Sequence, residues 1–272
     1  MSGRLLIGED RQWSGGVASK FAECVLAPNP SAWTLDGTNT WIIGEAGGSC
    51  VIIDPGPLGS GHRTAIEETL ERRSNHPTGI LLTHGHLDHS EGARELAQRF
   101  GISLHAWDTS VPGDASIEIS RFAKAERFDV NGADIRVVPT PGHSSDSVCF
   151  VVESTIITGD TVLGRGSTLV AHPDGRLDDY LSSLQMLARE CDDQGITTLL
   201  PGHGPLIEEP RSVVEAYLRH RFERLEEIAS IMKSGATTDA EIVDRVYVDI
   251  PPEVRPAALA TVRAQIEYLQ RS

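Results

Sequence analysis

The chemistry of this chain concentrates in one stretch, Thr83-His84-Gly85-His86-Leu87-Asp88-His89. Three histidines and an aspartate fall within six residues, and imidazole and carboxylate are the ligands that zinc, manganese and iron accept. An extended backbone would set His84, His86 and Asp88 on one face. A following turn would carry His89 toward a second ion, and Gly85 supplies the backbone freedom a crowded loop needs. Four ligand-type residues at this spacing point to a metal site.

Three later segments share one grammar, a β-rich run entering a glycine-containing polar turn: Pro141-Gly142-His143-Ser144, Thr158-Gly159-Asp160-Thr161 and Pro201-Gly202-His203-Gly204. Each offers one ligand-type side chain, His143, Asp160 or His203, at a strand's carboxyl end. Singly each is a weak signal; in series after the first cluster they reinforce one another. Ser144, Ser145 and Asp146 follow His143, and one of them is a candidate to fix a ligand imidazole. No Gly-x-Ser-x-Gly nucleophile turn accompanies them.

The elements that must position these groups alternate in type. Short β-branched runs at 40–43 and 50–54 flank a turn and predict a hairpin. Further strands are predicted at 79–83, 102–105, 135–138, 148–152, 155–158 and 197–200. Helices are predicted at 62–73, at 90–100 with Ser90 as its cap, and at 177–190. That alternation is α/β in character. After Pro205 the strand signal disappears. Amphipathic helices are predicted at 211–233, 239–246 (capped by Thr238 or Asp239) and 253–270, so a boundary falls near 206–210.

The 272 residues suit one large domain or two unequal ones. With 39% hydrophobic and 23% charged residues the chain is neither a disordered tail nor a membrane protein. The N-terminus lacks a signal peptide's order of basic then apolar residues, so a cytoplasmic location is expected. The formal charge of −15 opposes a general nucleic-acid coat, although a local basic site or a bound metal could still attract a phosphate. Cys24, Cys50, Cys149 and Cys191 are far apart in sequence and read as small buried residues rather than a disulfide frame.

The series His84-x-His86-x-Asp88-His89, His143, Asp160, His203 resembles the motif signature of the metallo-β-lactamase superfamily over about residues 20–207. The resemblance implies a four-layer αβ/βα sandwich with a metal site at one edge, here residues 1–207, followed by a C-terminal three-helix, winged-helix-like domain at 208–272. It also implies that His84, His86 and His143 hold one divalent ion, that Asp88, His89 and His203 hold a second, and that Asp160 bridges them. Zinc is the expected ion, with manganese or iron as alternatives. A water shared by two such ions loses a proton near neutral pH, and the hydroxide would attack a carbonyl or phosphorus. Asp88 would orient that hydroxide or pass a proton to the leaving group.

A bridging aspartate is unlike true β-lactamases and argues against a β-lactam substrate. The 42 residues between Asp160 and His203 leave no room for the inserted cap of RNA-processing members. The opening Asn29-Pro30-Ser31-Ala32-Trp33-Thr34-Leu35-Asp36-Gly37-Thr38-Asn39-Thr40-Trp41, with Gly164-Arg165-Gly166-Ser167-Thr168 and Tyr180-Leu181-x-Ser183-Leu184, is similar to the β-lactamase-like protein 2 group. That group implies an endoribonuclease cutting single-stranded RNA, with Arg165 as a candidate phosphate contact. The chain stops with its third tail helix, leaving little room for a β wing. The alternative is a glyoxalase II-like hydrolase of a small thioester or ester. From other classes come an iron-dependent thiol oxygenase and a non-catalytic nucleic-acid-binding protein, and the complete ligand set argues against both. No membrane and no obligate protein partner is expected. The tail is expected to wall one side of the cleft.

Overall fold

The computed structural model describes residues 12–271, except positions 60, 112, 124, 125, 237, 249 and 251. The N-terminal stretch read above for a targeting signal therefore lies largely outside the described residues.

Two mixed sheets form the molecule's centre. The first runs in chain order: β1 (Gly16–Val17), β2 (Ala22–Leu26), β3 (Asn39–Ile43), β4 (Ser49–Ile53), β5 (His76–Leu81), β6 (Ser103–Ala106) and β7 (Ile119–Arg121). Its first four strands are antiparallel neighbours, with Trp41 opposite Ile53; β4 through β7 then pair in parallel. The second sheet contains β8 (Arg127–Val130), β9 (Ala133–Pro139), β10 (Val148–Val152), β11 (Thr155–Gly159) and β12 (Thr198–Pro201), in the spatial order β12-β11-β10-β9-β8. Only β11 and β12 pair in parallel there.

The apolar runs that defined these strands are nearly continuous because both faces are buried. Alternate residues go opposite ways. Trp41, Ile43, Val51 and Ile53 face Ile135, Val137, Val148 and Phe150 across the space between the sheets. Their neighbours Ile42, Cys50 and Ile52 turn outward beneath α1 (His62–Arg73) and α3 (Ala93–Phe100), onto Ile66, Leu70, Leu96 and Ala97. On the far side Val138, Cys149, Val151, Ile156 and Leu199 pack under α4 (Leu177–Asp193), on Tyr180, Leu184 and Leu187. The result is the helix–sheet–sheet–helix layering that the sequence resemblance implied.

The short helix α2 (Leu87–Ser90) replaces the start expected for a single helix at 90–100. Ser90 does not cap α3. It ends α2, and its hydroxyl donates to Gly85 O at 2.9 Å, tying the ligand loop to itself. Gly92 sits at the N-cap of α3 instead. The strands β1, β2, β7 and β8 were absent from the sequence reading: they are short or carry charged residues, so their periodicity is weak.

After β12 the described chain is helical: α5 (Pro210–Lys233), α6 (Asp239–Val246) and α7 (Arg255–Arg271). Thr238 caps α6 with a complete capping box closed by Glu241. The first part of α5 does not stand apart. Val214, Tyr217 and Leu225 join the core beneath α4, and Ala264 of α7 joins them. The rest builds a smaller core from Ile228, Ile242, Val243, Val246 and Val262. Among the described residues no helix is long and apolar enough to cross a membrane. All four cysteines are buried and free, and burial pushes their thiols up.

Candidate metal centre

The carboxyl ends of β5, β9, β11 and β12 meet at one edge of the sandwich, and each delivers its predicted residues there. The loop after β5 carries His84, His86, Asp88 and His89. His143 follows β9, Asp160 follows β11 and His203 follows β12. All seven converge. His84 Nε2 lies 3.0 Å from His86 Nδ1, which lies 3.1 Å from His143 Nε2. His89 Nε2 lies 3.2 Å from His203 Nε2, and His203 Nε2 lies 3.2 Å from Asp88 Oδ2. Asp160 spans both groups, with Oδ1 at 3.4 Å from His89 and 3.5 Å from His203, and Oδ2 at 3.8 Å from His143.

The wiring behind the rings decides what the cluster can hold. His89 Nδ1 is 2.8 Å from Asp54 Oδ2, His143 Nδ1 is 2.7 Å from Leu169 O, and His203 Nδ1 is 3.1 Å from Gly37 O. His84 Nδ1 is 3.0 Å from the Thr83 hydroxyl, which already donates to Asp54 Oδ2 at 2.6 Å. An acceptor thus claims the Nδ1 proton of each of these four rings. Once the ring is neutral, that leaves Nε2 as a lone pair aimed at the centre, the tautomer a metal ligand requires. His86 turns its Nδ1 inward instead. Among His84, His86 and His143, lone pairs facing one another at about 3 Å do not attract, and Asp160 Oδ1 is buried without a hydrogen-bond partner. A cation between them resolves both. Three triads have donor atoms within 4.8 Å of one another: His84, His86 and His143; His84, His89 and Asp160; Asp88, His89 and His203. The residues fit divalent ions.

Electrostatics follow from this crowding. Burial lowers His84 well below the ordinary imidazole value, and neighbouring His89 and His143 push the same way. Burial also lowers His143. Burial opposes charge on His89 and His203 too, but Asp160 overrides it, raising His89 well above the ordinary value and His203 to about 9. For Asp88 burial would raise the carboxyl, yet the His203 hydrogen bond and the His89 charge bring it to about 2.

Asp54 was not singled out from the sequence. It ends the first hairpin as a lone carboxylate, with no local pattern to mark it. In the fold its Oδ1 accepts from Thr83 N at 2.8 Å and its Oδ2 from Thr83 Oγ1, so it holds the β5 exit and His89 together. The polar residues after His143 serve differently from the imidazole anchor expected of them. Asp146 Oδ2 accepts from Gly85 N at 2.8 Å, and Ser144 Oγ donates to Asp146 Oδ1, so they brace the ligand loop's backbone rather than a ring. Arg165 pairs with Asp36 at 2.7 Å beside the site.

Beside the cluster lies a cavity of about 770 Å³, reached past His86, Asp88, His143 and Asp160. Its other walls come from the 31–35 loop, the 163–169 loop, and helices α5 and α7.

A twofold histidine–aspartate centre at the edge of an αββα sandwich defines a class, and comparison with known proteins agrees: the chain belongs to the metallo-β-lactamase superfamily, whose members are hydrolases. The superfamily's domain model matches residues 33–106. The beta-lactamase-like protein 2 homolog of Caenorhabditis elegans is 31% identical over 90% of this chain and 82% of its own length. An atrochrysone carboxyl ACP thioesterase of Passalora fulva is 32% identical over 82% of this chain and 67% of its own. The crystal structure of a beta-lactamase domain protein from Burkholderia ambifaria superposes with a TM-score of 0.81 at 21% identity, covering 97% of this chain and 91% of that one.

Proposed function

We propose that the chain is a metal-dependent hydrolase that cleaves a thioester, or a reactive ester, of a largely apolar acyl group. The observation that carries this reading is the cavity. It opens on the ligand cluster, and most of the surface it exposes is apolar, contributed by side chains such as Leu35, Leu163, Leu169, Ile250 and Val254, with arginines and hydroxyls set among them. Such a chamber binds a hydrocarbon or ring body and leaves its carbonyl at the polar mouth. That a relative is named a thioesterase supports the same reading.

Divalent ions bound by the seven residues would supply Lewis-acid polarisation and an activated water. His84 and His143 turn Nε2 lone pairs and His86 its Nδ1 to the centre, His89 and His203 bare theirs on losing a proton, Asp160 faces both halves, and Asp88 stands at the mouth to accept a hydrogen bond from the attacking water. Asp88 at about 2 and His220 at about 4 carry no proton at neutral pH before reaction, so neither is a standing acid for a departing group. Burial is the first cause of the low His220 value. A thiolate leaves without such help far more readily than an alkoxide, because thiols ionise near pH 8.5. This favours the thioester.

RNA cleavage, the other reading of the resemblance, has less support in the chamber. Arg165 and Arg224, which would meet phosphates, are paired with Asp36 and Glu227. The two are separated by assaying thiol release from an acyl N-acetylcysteamine thioester beside cleavage of a labelled single-stranded RNA, each with and without chelator. Chelator-sensitive thiol release that disappears in Asp88→Ala is expected. RNA cleavage with the same sensitivity, and no thiol release, overturns the thioester reading.

A further inference from the structure

Part of the cavity's lining is buried without hydrogen-bond partners. Thr261 and Gln265, one turn apart on α7, line it at 5% and 1% exposure. The Thr261 hydroxyl and both polar atoms of the Gln265 amide are buried without a hydrogen-bond partner. Arg221 of α5 lines the same cavity and is 4% exposed. Its guanidinium donates to Thr168 O and lies 5.1 Å from the Tyr180 ring, while its Nε has no partner. Among the described residues it forms no ion pair, and the only carboxylates lining the cavity are Asp88 and Asp160, at the ligand cluster.

Orphaned buried polar groups cost stability, and a buried cation lacking a counter-charge costs more. Arg165 and Arg224 in the same lining have carboxylate partners, Asp36 and Glu227; three buried residues left without full partners call for an occupant. The orphaned groups are mostly donors: a guanidinium N–H, an amide NH₂ and a hydroxyl, against a single amide oxygen that can only accept. An acceptor carrying negative charge satisfies them; a hydrocarbon does not.

We infer that Arg221, Thr261 and Gln265 form a recognition site for an anionic oxygen group of the substrate, one that rests on the thioesterase reading and specifies which thioesters are taken. The anion has two possible sources. A carboxylate on the acyl body would enter the cavity with it, or a phosphate on the thiol arm would reach back from the scissile sulfur. The site also links to the metal centre, because Thr168, which accepts from Arg221, donates through its own hydroxyl to Asp160 O at 2.7 Å.

The test uses two substrate pairs on the metal-loaded enzyme and on Thr261→Val, Gln265→Leu and the double variant. One pair is glutaryl against butyryl N-acetylcysteamine; the other is butyryl phosphopantetheine against butyryl pantetheine. The native enzyme should prefer the anionic member of one pair by about tenfold or more in kcat/KM, through KM, since a hydrogen bond to a charged group is worth about that much. Which pair shows the preference identifies the source of the anion. Each substitution should cut that ratio about tenfold. Relieved of orphaned groups, the ligand-free variants should also melt higher, by about 2–4 °C each. A ratio near one for both pairs, a preference that survives the double variant, or variants that melt lower than the parent would each refute the site. Should no thioester be hydrolysed, the hydrolytic reading fails by itself. The anion site is then judged by melting alone: glutarate or inorganic phosphate must stabilise the native protein and not the double variant, and absence of that shift refutes it.

Discussion

At the scale of single residues, the centre is governed by what stands behind each ligand. Asp54 accepts from Thr83 twice and from His89 once, and it does so from a left-handed backbone position (φ 50°) that asparagine also tolerates. Asp54→Asn should therefore fold, but its amide NH₂ faces donors and cannot accept from His89. Metal affinity is expected to fall 10- to 100-fold, as read by competition with a chromogenic chelator, and the metal-free protein should also melt lower, because charged His89 loses a buried counter-charge. Protons report on the same groups. His203, raised to about 9, and His89, raised well above the ordinary imidazole value, are charged in the metal-free protein at pH 7.5 and must lose their protons on loading. Calorimetry in buffers of different ionisation enthalpy should show proton release, and affinity should rise with pH toward 9. The sign for the metal-free fold is opposite. Raised imidazoles stabilise it fully below about pH 6.5, and that contribution is lost as pH climbs through about 9. Thermal melts of metal-free protein should therefore fall across that interval, whereas the depressed His84 is already neutral there and adds nothing to the slope.

At the scale of elements, the site depends on strands that stop abruptly and turn. Gly202, between β12 and His203, is packed so closely that a Cβ there would lie 2.6 Å from Asp160 Oδ1 and 2.7 Å from His89 Cε1. Gly202→Ala should displace both ligands and abolish tight metal binding while the far-UV spectrum stays native; retained stoichiometric binding would contradict this packing argument. Asn39, at the start of β3, completes the same corner by donating to Pro201 O at 2.9 Å and Gly204 O at 2.8 Å. Far from the site, the Thr238–Glu241 capping box starts α6. Thr238→Ala should cost about 1 kcal/mol in urea unfolding, and the loss should leave metal affinity untouched.

At the scale of the whole molecule, the tail is part of the catalytic body as well as its wall. Tyr217 of α5 bonds Leu163 N at 3.0 Å, and it sits with Val214 and Leu225 in the core under α4. Removing residues 211–272 would strip these from the interior and expose Tyr180 and Leu184. A chain ending at 210 is expected to be insoluble or to bind a hydrophobic dye strongly, rather than to persist as a metal-binding domain with altered preference. Soluble, cooperatively melting protein from that truncation would show the tail to be separable after all.

How much of this was legible beforehand follows from how local each signal is. Ligand chemistry admits few residue types, so His84, His86, Asp88, His89, His143, Asp160 and His203 stood out as one series, and apolar runs buried on both faces announced most of the strands. Thr261 and Gln265 did not stand out. In sequence they are polar positions on an amphipathic helix, indistinguishable from a solvated face, and only the packing of α7 against α5 buries them without partners. Asp54 was likewise one carboxylate among many until the sheet carried it beneath His89. Residue chemistry and short-range periodicity are written in the chain itself. Which polar groups end up deprived of water, and what faces them, is decided by contacts between segments tens to hundreds of residues apart, and those exist only once the two sheets and their helices have closed.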